Sequence, residues 1–209
     1  MPVDMESWSR QLHASNFSNA FAQYRDVTSL GNVSRILVIG PGQGLDCAVF
    51  AWRGYQVTTL DIDDRLNPDF VGSVHDLSMF GDKQFDVVIA SHVLEHLPPS
   101  YLDGAIAELA RVAHHAVVYL PIAGRIMRLR LMPGLRGWDW SLAVHLCNPF
   151  DKPDPKRPRY CDGQHYWEIG RPGFSRRAVG RRLEKHFRIR SQYWNQDWLP
   201  SYNFVLTAR

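Results

Sequence analysis

The feature that most limits what this chain can fold into is an unbroken apolar run, Ile36, Leu37, Val38 and Ile39, that ends in Gly40-Pro41-Gly42-Gln43-Gly44. A strand apolar at every position is covered on both faces, which requires a sheet with a layer of structure on each side. Glycines placed directly after such a strand let the chain turn tightly and bring its backbone close to a ligand. A helix is predicted next, from about Leu45 to Arg53, and Gly54 stops it. Strand, glycine turn and helix together form the opening unit of a parallel α/β sheet.

The unit repeats. Gln56 to Leu60 is a second β-rich run ending on Asp61, residues 70–75 can form a third strand, and Phe85 to Ala90 a fourth. After Pro98 and Pro99, the stretch Ser100 to Asp103 reads as a capping box opening a helix through about Val112. His115 to Leu120 is a fifth strand, closed by Pro121. Such alternation predicts βαβ units and a Rossmann-like three-layer sandwich with helices on both faces. Ahead of it, Trp8, Leu12, Phe17, Phe21 and Tyr24 suggest one or two helices. Residues 122–173 break the rhythm with six prolines and three tryptophans, as an insertion or lid. Ser175 can then cap a helix with Val179, Leu183 and Phe187 on one face, and strands near 187–194 and 202–208 complete the sheet. We therefore expect a single domain, divided into an N-terminal helical segment (1–32), a ligand-binding core (33–121), the insertion (122–173) and a last helix with two strands (174–209).

Size supports one domain, since 209 residues bury a sizeable core but do not divide into two ordinary domains with a linker. No apolar run approaches the roughly 20 residues of a membrane span. The opening residues carry acids where a secretory signal would carry lysines, so a cytoplasmic protein is expected. Three cysteines, Cys47, Cys147 and Cys161, are odd in number and not in C-x-x-C spacing, which argues against a disulfide framework. Charge is divided unevenly. Residues 1–123 carry 7 Lys/Arg against 14 Asp/Glu, and residues 124–190 carry 16 against 6. The basic segment should favour anions or form a solvated arginine face.

The glycine turn has the spacing G-x-G-x-G. A dinucleotide fingerprint, G-x-G-x-x-G, counted from Gly40 would need its last glycine at Leu45, so a nicotinamide-dependent oxidoreductase is disfavoured. Asp61, followed by Ile62, sits at the carboxyl edge of the sheet, where a carboxylate can accept from both hydroxyls of a ribose. Asp76, in the segment Val74, His75, Asp76, Leu77, is placed to accept from an adenine amine, with the Leu77 amide facing a ring nitrogen.

These motifs in this order resemble the class I S-adenosylmethionine-dependent methyltransferases, and the type-11 group in particular, over roughly residues 33–121. Most specific is Phe85-Asp-Val-Val-Ile-Ala-Ser-His-Val-Leu-Glu-His-Leu-Pro98, similar to that family's fourth-strand segment. The resemblance implies a seven-stranded, mostly parallel sheet with its last strand antiparallel, and S-adenosyl-L-methionine as methyl donor, leaving as S-adenosyl-L-homocysteine. It implies that Gly40, Pro41, Gly42 and Gly44 cradle the cofactor, Asp61 and Ile62 hold its ribose side, His75, Asp76 and Leu77 its adenine, and Ser91, His92 and Val93 its methionine part. Val38 departs from the pattern, which often has an acid there; the cofactor's amino group must then meet backbone carbonyls or another side chain.

Methyl transfer is an in-line displacement in which alignment carries much of the rate, and a neutral histidine can remove the acceptor's proton. His92 and His165 are the candidates, with His96 behind them. His165, Trp167 and Glu168 can form a substrate wall, or His165 can tie the insertion to the core. Arg125 and Arg171 can hold an anionic group on a small-molecule or glycan acceptor. The arginines at 125, 128, 130 and 136, and those at 176, 177, 181 and 182, keep a nucleic-acid acceptor as the alternative, and a non-catalytic nucleoside-binding protein is a third. No metal is expected, although His145-x-Cys147 and Cys161-x-x-x-His165 contain zinc-type ligands.

Overall fold

The computed structural model describes residues 13–131, 140–146, 154–195 and 201–209. Helix α1 (Ala14–Thr28) leads into β1 (Arg35–Ile39), α2 (Leu45–Trp52), β2 (Gln56–Asp61) and a two-residue β3 (Phe70–Val71). Then come β4 (Phe85–Ser91), α3 (Pro99–Val112), β5 (Ala113–Pro121) and a hairpin of β6 (Arg125–Leu131) and β7 (Trp140–Leu146). Helix α4 (Arg176–Leu183), β8 (Phe187–Trp194) and β9 (Ser201–Ala208) close the chain.

Seven strands form one sheet in the order β3-β2-β1-β4-β5-β9-β8, with β6 and β7 paired separately. The first five run parallel, and β9 enters antiparallel between β5 and β8. The expected sheet, with its last strand reversed, is the one present. The third strand is shorter than expected, because the chain turns away after Val71.

Alternate residues of β1 go to opposite layers: Leu37 and Ile39 to a core shared with α3 and α4, Ile36 and Val38 to one shared with α1 and α2. Each fully buried Leu, Ile or Val contributes about 1.5–3 kcal/mol relative to exposure, so this one strand fixes both layers. From β1 the chain winds to β2 on one side, and β4 lies on the other. That reversal opens a crevice at the carboxyl ends of β1 and β4.

Three local expectations are corrected. Helix α3 begins at Pro99, one residue before Ser100, and its N-cap Pro98 makes no side-chain cap bond. Proline at the first helical position needs no partner for the amide it lacks, and Asp103 instead pairs with Arg182 and Lys185 of the α4 region, at 2.7 and 2.8 Å. Phe187 does not continue α4 but starts β8, buried in the same core. Ser175 does cap α4, accepting from the Ala178 amide at 3.1 Å. On α1, Phe17 and Phe21 are exposed, and the buried face is Ala20, Ala22, Gln23, Asp26 and Val27. Trp8 and Leu12 lie outside the described residues.

The segment after β5 is tied to the core at both ends, since Ala123 and Ile169 exchange backbone bonds with Ile169 and Pro121 at 2.8 and 2.9 Å. Between these ties lies the β6–β7 hairpin. Among the described residues, no helix is long and apolar enough to cross a membrane.

Candidate active site

The crevice is shaped by glycine. Gly40 has φ +67°, and a Cβ there would stand 2.7 Å from Val93 Cγ2. Gly42 and Gly44 are also left-handed, and Gly44 forms the N-cap of α2. Two cavities open from this turn. One, of about 330 Å³, is bounded by Asp61, Ile62, Val74, Val93 and Leu97. The other, of about 270 Å³, takes Pro41, Gly44 and Ser91 on one side and Asn16, Asn19 and Gln23 of α1 on the other. Gly40, Gly42, His92 and His96 border both.

The two cavities differ in chemistry. In the first, buried Asp61 accepts the Asp63 amide at 2.9 Å, which fixes its carboxylate at the rim among apolar walls. Ile62, although on that wall, is 76% exposed. In the second, Asn19 donates to Ser91 Oγ at 3.1 Å and Asn16 to Gln43 at 2.8 Å, so α1 is latched across the turn. Asn19 Oδ1 and Gln23 Oε1 are buried acceptors without a hydrogen-bond partner. Asp46 borders the same space; burial pushes its carboxyl up, against the bonds from the Cys47 amide and Gln23 that hold it down. Asn16, Asn19, Gln23 and Asp46 were not read from the sequence, because only the docking of α1 brings three of them to the turn.

His92 has φ +57°, a left-handed conformation uncommon without glycine, and its amide donates to Tyr119 O at 2.9 Å. Such strain persists where surrounding structure imposes it, often at functional positions. Its Nδ1 lies 3.4 Å from Glu95 Oε1.

Several expected residues are placed elsewhere. The Leu77 amide donates to Glu108 at 3.0 Å and its side chain is fully buried. Asp76 accepts from the Ser78 amide at 3.1 Å, an interaction that lowers its pKa, and His75 packs on Tyr101 with ring centroids 4.8 Å apart. The wall of the first cavity takes Ser73 and Val74 from this loop, and not the three residues after them. Trp167 is not a substrate wall but core, fully buried and stacked on Phe174 at 4.8 Å. Arg171 is held by Glu168 at 3.1 Å and lies 3.9 Å over the Tyr160 ring, so its guanidinium is committed within the protein. Arg125 opens β6, but its side chain is outside the described residues, as are Arg136 and Cys147.

His165 reaches the crevice through His96, their rings 4.9 Å apart. His165 Nδ1 donates to Glu168 Oε1 at 3.1 Å, and His96 Nδ1 donates to the Gln164 carbonyl at 3.1 Å. Burial alone would raise the Glu168 pKa, but His165 and Arg171 outweigh it and hold the carboxyl low. Fully buried Glu95 completes a group in which one atom each of Glu95, His96 and His165 lie within 4.8 Å of one another. Sequence alone did not join these residues, since His165 is far from the other two along the chain.

The family description "Methyltransferase domain" matches residues 37–117. No curated protein sequence matches the chain. Among solved structures, the chain is similar to the N-methyltransferase NodS from Bradyrhizobium japonicum WM9 (TM-score 0.59, 13% identity, 98% of this chain and 96% of that one). It is also similar to the glycopeptide N-methyltransferase MtfA (0.56, 15%, 95% and 91%). A third is the 1,6-didemethyltoxoflavin-N1-methyltransferase of Burkholderia thailandensis (0.54, 18%, 94% and 86%). At these identities the likeness establishes the fold, and the matched segment spans β1 to β5 with the glycine turn, Asp61 and the whole fourth strand. Sequence segment and sheet order agree: residues 37–117 match a methyltransferase domain, and the chain as a whole shares the fold of these methyltransferases.

Proposed function

We propose that this protein methylates a small-molecule or glycan acceptor that enters beside His92 and His96. The observation that carries this reading is the pair of adjoining cavities meeting at Gly40, Gly42, His92 and His96, one apolar with an acid at its rim and one lined by amides. The first suits a nucleoside: Asp61 takes the ribose hydroxyls, and Ile62, Val93 and Leu97 cover the base. The second suits an amino-acid end. Asn19 Oδ1, Gln23 Oε1 and Asp46 supply the acceptors for an ammonium that Val38 does not, and the unpaired state of the two amide oxygens fits a ligand that would pair them. When bound there, S-adenosylmethionine supplies an electrophilic methyl on a sulfonium.

The chain's own part is alignment, exclusion of water and proton removal. His92 borders both cavities, with Glu95 behind its Nδ1 to stabilise a protonated ring. His165 acts one layer back, through His96. Two of the structural neighbours are named for small or peptide acceptors, toxoflavin precursor and glycopeptide, which supports the acceptor class. Against a nucleic-acid acceptor, Arg176, Arg177 and Arg181 of α4 line a separate groove against β8 that shares no residue with the crevice, and Arg182 is paired with Asp103.

The reading is tested by calorimetric titration with S-adenosylhomocysteine and NAD, followed by a screen of small hydroxyl- and amine-bearing acceptors for release of S-adenosylhomocysteine. Binding of S-adenosylhomocysteine but not NAD, with turnover on a small acceptor, is expected. Turnover confined to RNA would overturn the acceptor class.

A further inference from the structure

Glu95, His96 and His165 stand together at the crevice wall, and each is held in place by contacts within the protein. Glu95 is fully buried with neither carboxylate oxygen hydrogen-bonded, Oε1 standing 3.4 Å from His92 Nδ1. Burying a carboxyl group without a hydrogen-bond partner is costly, and a bound cation would compensate it. His96 gives its Nδ1 hydrogen to the Gln164 carbonyl, and His165 gives its own to Glu168. In each ring this leaves Nε2 as the lone-pair atom. A carboxylate or carbonyl on the far nitrogen is the arrangement that orients histidines toward metal ions. The two segments are further pinned by the Tyr166 amide, which donates to the Glu95 carbonyl at 2.9 Å.

The spacing is right for a small cation. With the three ligand atoms within 4.8 Å of one another, a point among them lies within about 2.8 Å of all three. Metal bonds of about 2.0–2.2 Å then require each side chain to advance by less than roughly one ångström. Two imidazoles and a carboxylate suit zinc and its first-row neighbours and do not suit calcium or magnesium, which take all-oxygen shells.

We propose that Glu95, His96 and His165 bind one divalent first-row metal ion, zinc foremost, with an open coordination position toward the crevice for an oxygen atom of the acceptor. His96 borders both cavities, so an ion that it ligates lies beside the crevice. Three protein ligands leave a four-coordinate ion one position for water or substrate. An acceptor hydroxyl ligated there loses its proton to solvent near neutral pH, which narrows the acceptor to compounds with a metal-binding oxygen. Metal binding stands by itself, whereas the role of the open position rests on the methyl-transfer reading.

The test uses the untagged full chain, stripped with chelator and titrated with Co²⁺ as a coloured substitute for zinc. One equivalent should give visible absorption of low-coordinate Co²⁺, discharged by Zn²⁺. His165→Ala should lower Co²⁺ affinity at least 100-fold, and Glu168→Gln, which keeps the side-chain shape, about 10–100-fold. S-adenosylhomocysteine titration of the same samples checks folding; if His165→Ala does not fold, Glu168→Gln decides. Acetohydroxamate, a small oxygen chelator, should shift the Co²⁺ band, and an unchanged band overturns the open position. Absence of the band, or wild-type Co²⁺ affinity in the variants, overturns the site even where S-adenosylhomocysteine binds. Stoichiometric Co²⁺ binding without S-adenosylhomocysteine binding would instead remove the methyl-transfer reading and keep the metal.

Discussion

Gly40 is subject to two constraints that no other residue type satisfies, a left-handed φ of +67° and a Val93 methyl where its Cβ would be. Gly40→Ala should therefore destabilise the fold by about 1–3 kcal/mol and reduce S-adenosylhomocysteine affinity, read by urea denaturation and calorimetry; an unchanged midpoint would show that the turn relaxes. Asp61 is the complementary case, a carboxylate set on the rim by one amide. Asp61→Ala should keep the fold and weaken S-adenosylhomocysteine binding about 10–100-fold, the range for losing charge-assisted bonds of roughly 1.5–3 kcal/mol. Equal affinity would remove Asp61 from the site. Both residues were legible in the sequence because their constraints are local, a glycine after a strand and an acid at a strand's end. The engagement of the Leu77 amide was not legible, for the converse reason. Nothing local announces that Glu108, on a helix 31 residues away, takes the Leu77 amide.

At the scale of elements, α1 decides whether the second cavity exists. Its anchor is Asp26, whose Oδ2 accepts from the hydroxyls of Tyr119 on β5 and Tyr193 on β8, each at 2.6 Å. Burial and the Asp26 charge both push the Tyr119 hydroxyl well above its ordinary pKa, so it remains a donor throughout the physiological range. Asp26→Ala would leave two phenols without their acceptor, at about 2–3 kcal/mol, and loosen the helix that carries Asn19 and Gln23. The expected outcome is a lower denaturation midpoint together with weaker S-adenosylhomocysteine binding. A stability loss with full affinity would show that α1 does not shape the pocket. The sequence indicated a helix here but not its buried face. The exposed aromatics Phe17 and Phe21 drew the apolar stripe to the wrong side, while small and polar residues, Ala20, Ala22, Gln23 and Asp26, face the sheet.

For the whole molecule, Asp86 joins β4 to the start of β1, accepting from the Ser34 amide and hydroxyl at 2.9 Å and from the Arg35 amide and guanidinium at 2.8 and 3.0 Å. Partial burial would raise its pKa, yet these bonds overcome that and drive it far below its ordinary 3.8. A carboxyl depressed in the folded state adds stability that is complete above 3.8 and is lost as pH falls toward the folded value. Asp86→Asn should therefore cost about 1–2 kcal/mol at neutral pH and progressively less in acid, measured by urea midpoints from pH 7 to pH 3. A pH-independent difference would contradict this account. By itself the sequence determined the layered parallel sheet, the glycine turn and the acid of the first cavity. Apolar periodicity, glycine conformation and strand-end position are properties of neighbouring residues, and a linear reading contains them. Only the tertiary structure decided the amide-lined cavity, the committed state of Arg171 and Trp167, and the meeting of Glu95 and His96 with His165. Each depends on segments far apart in the chain, and what joins them is the burial of their shared surfaces rather than any pattern within one of them.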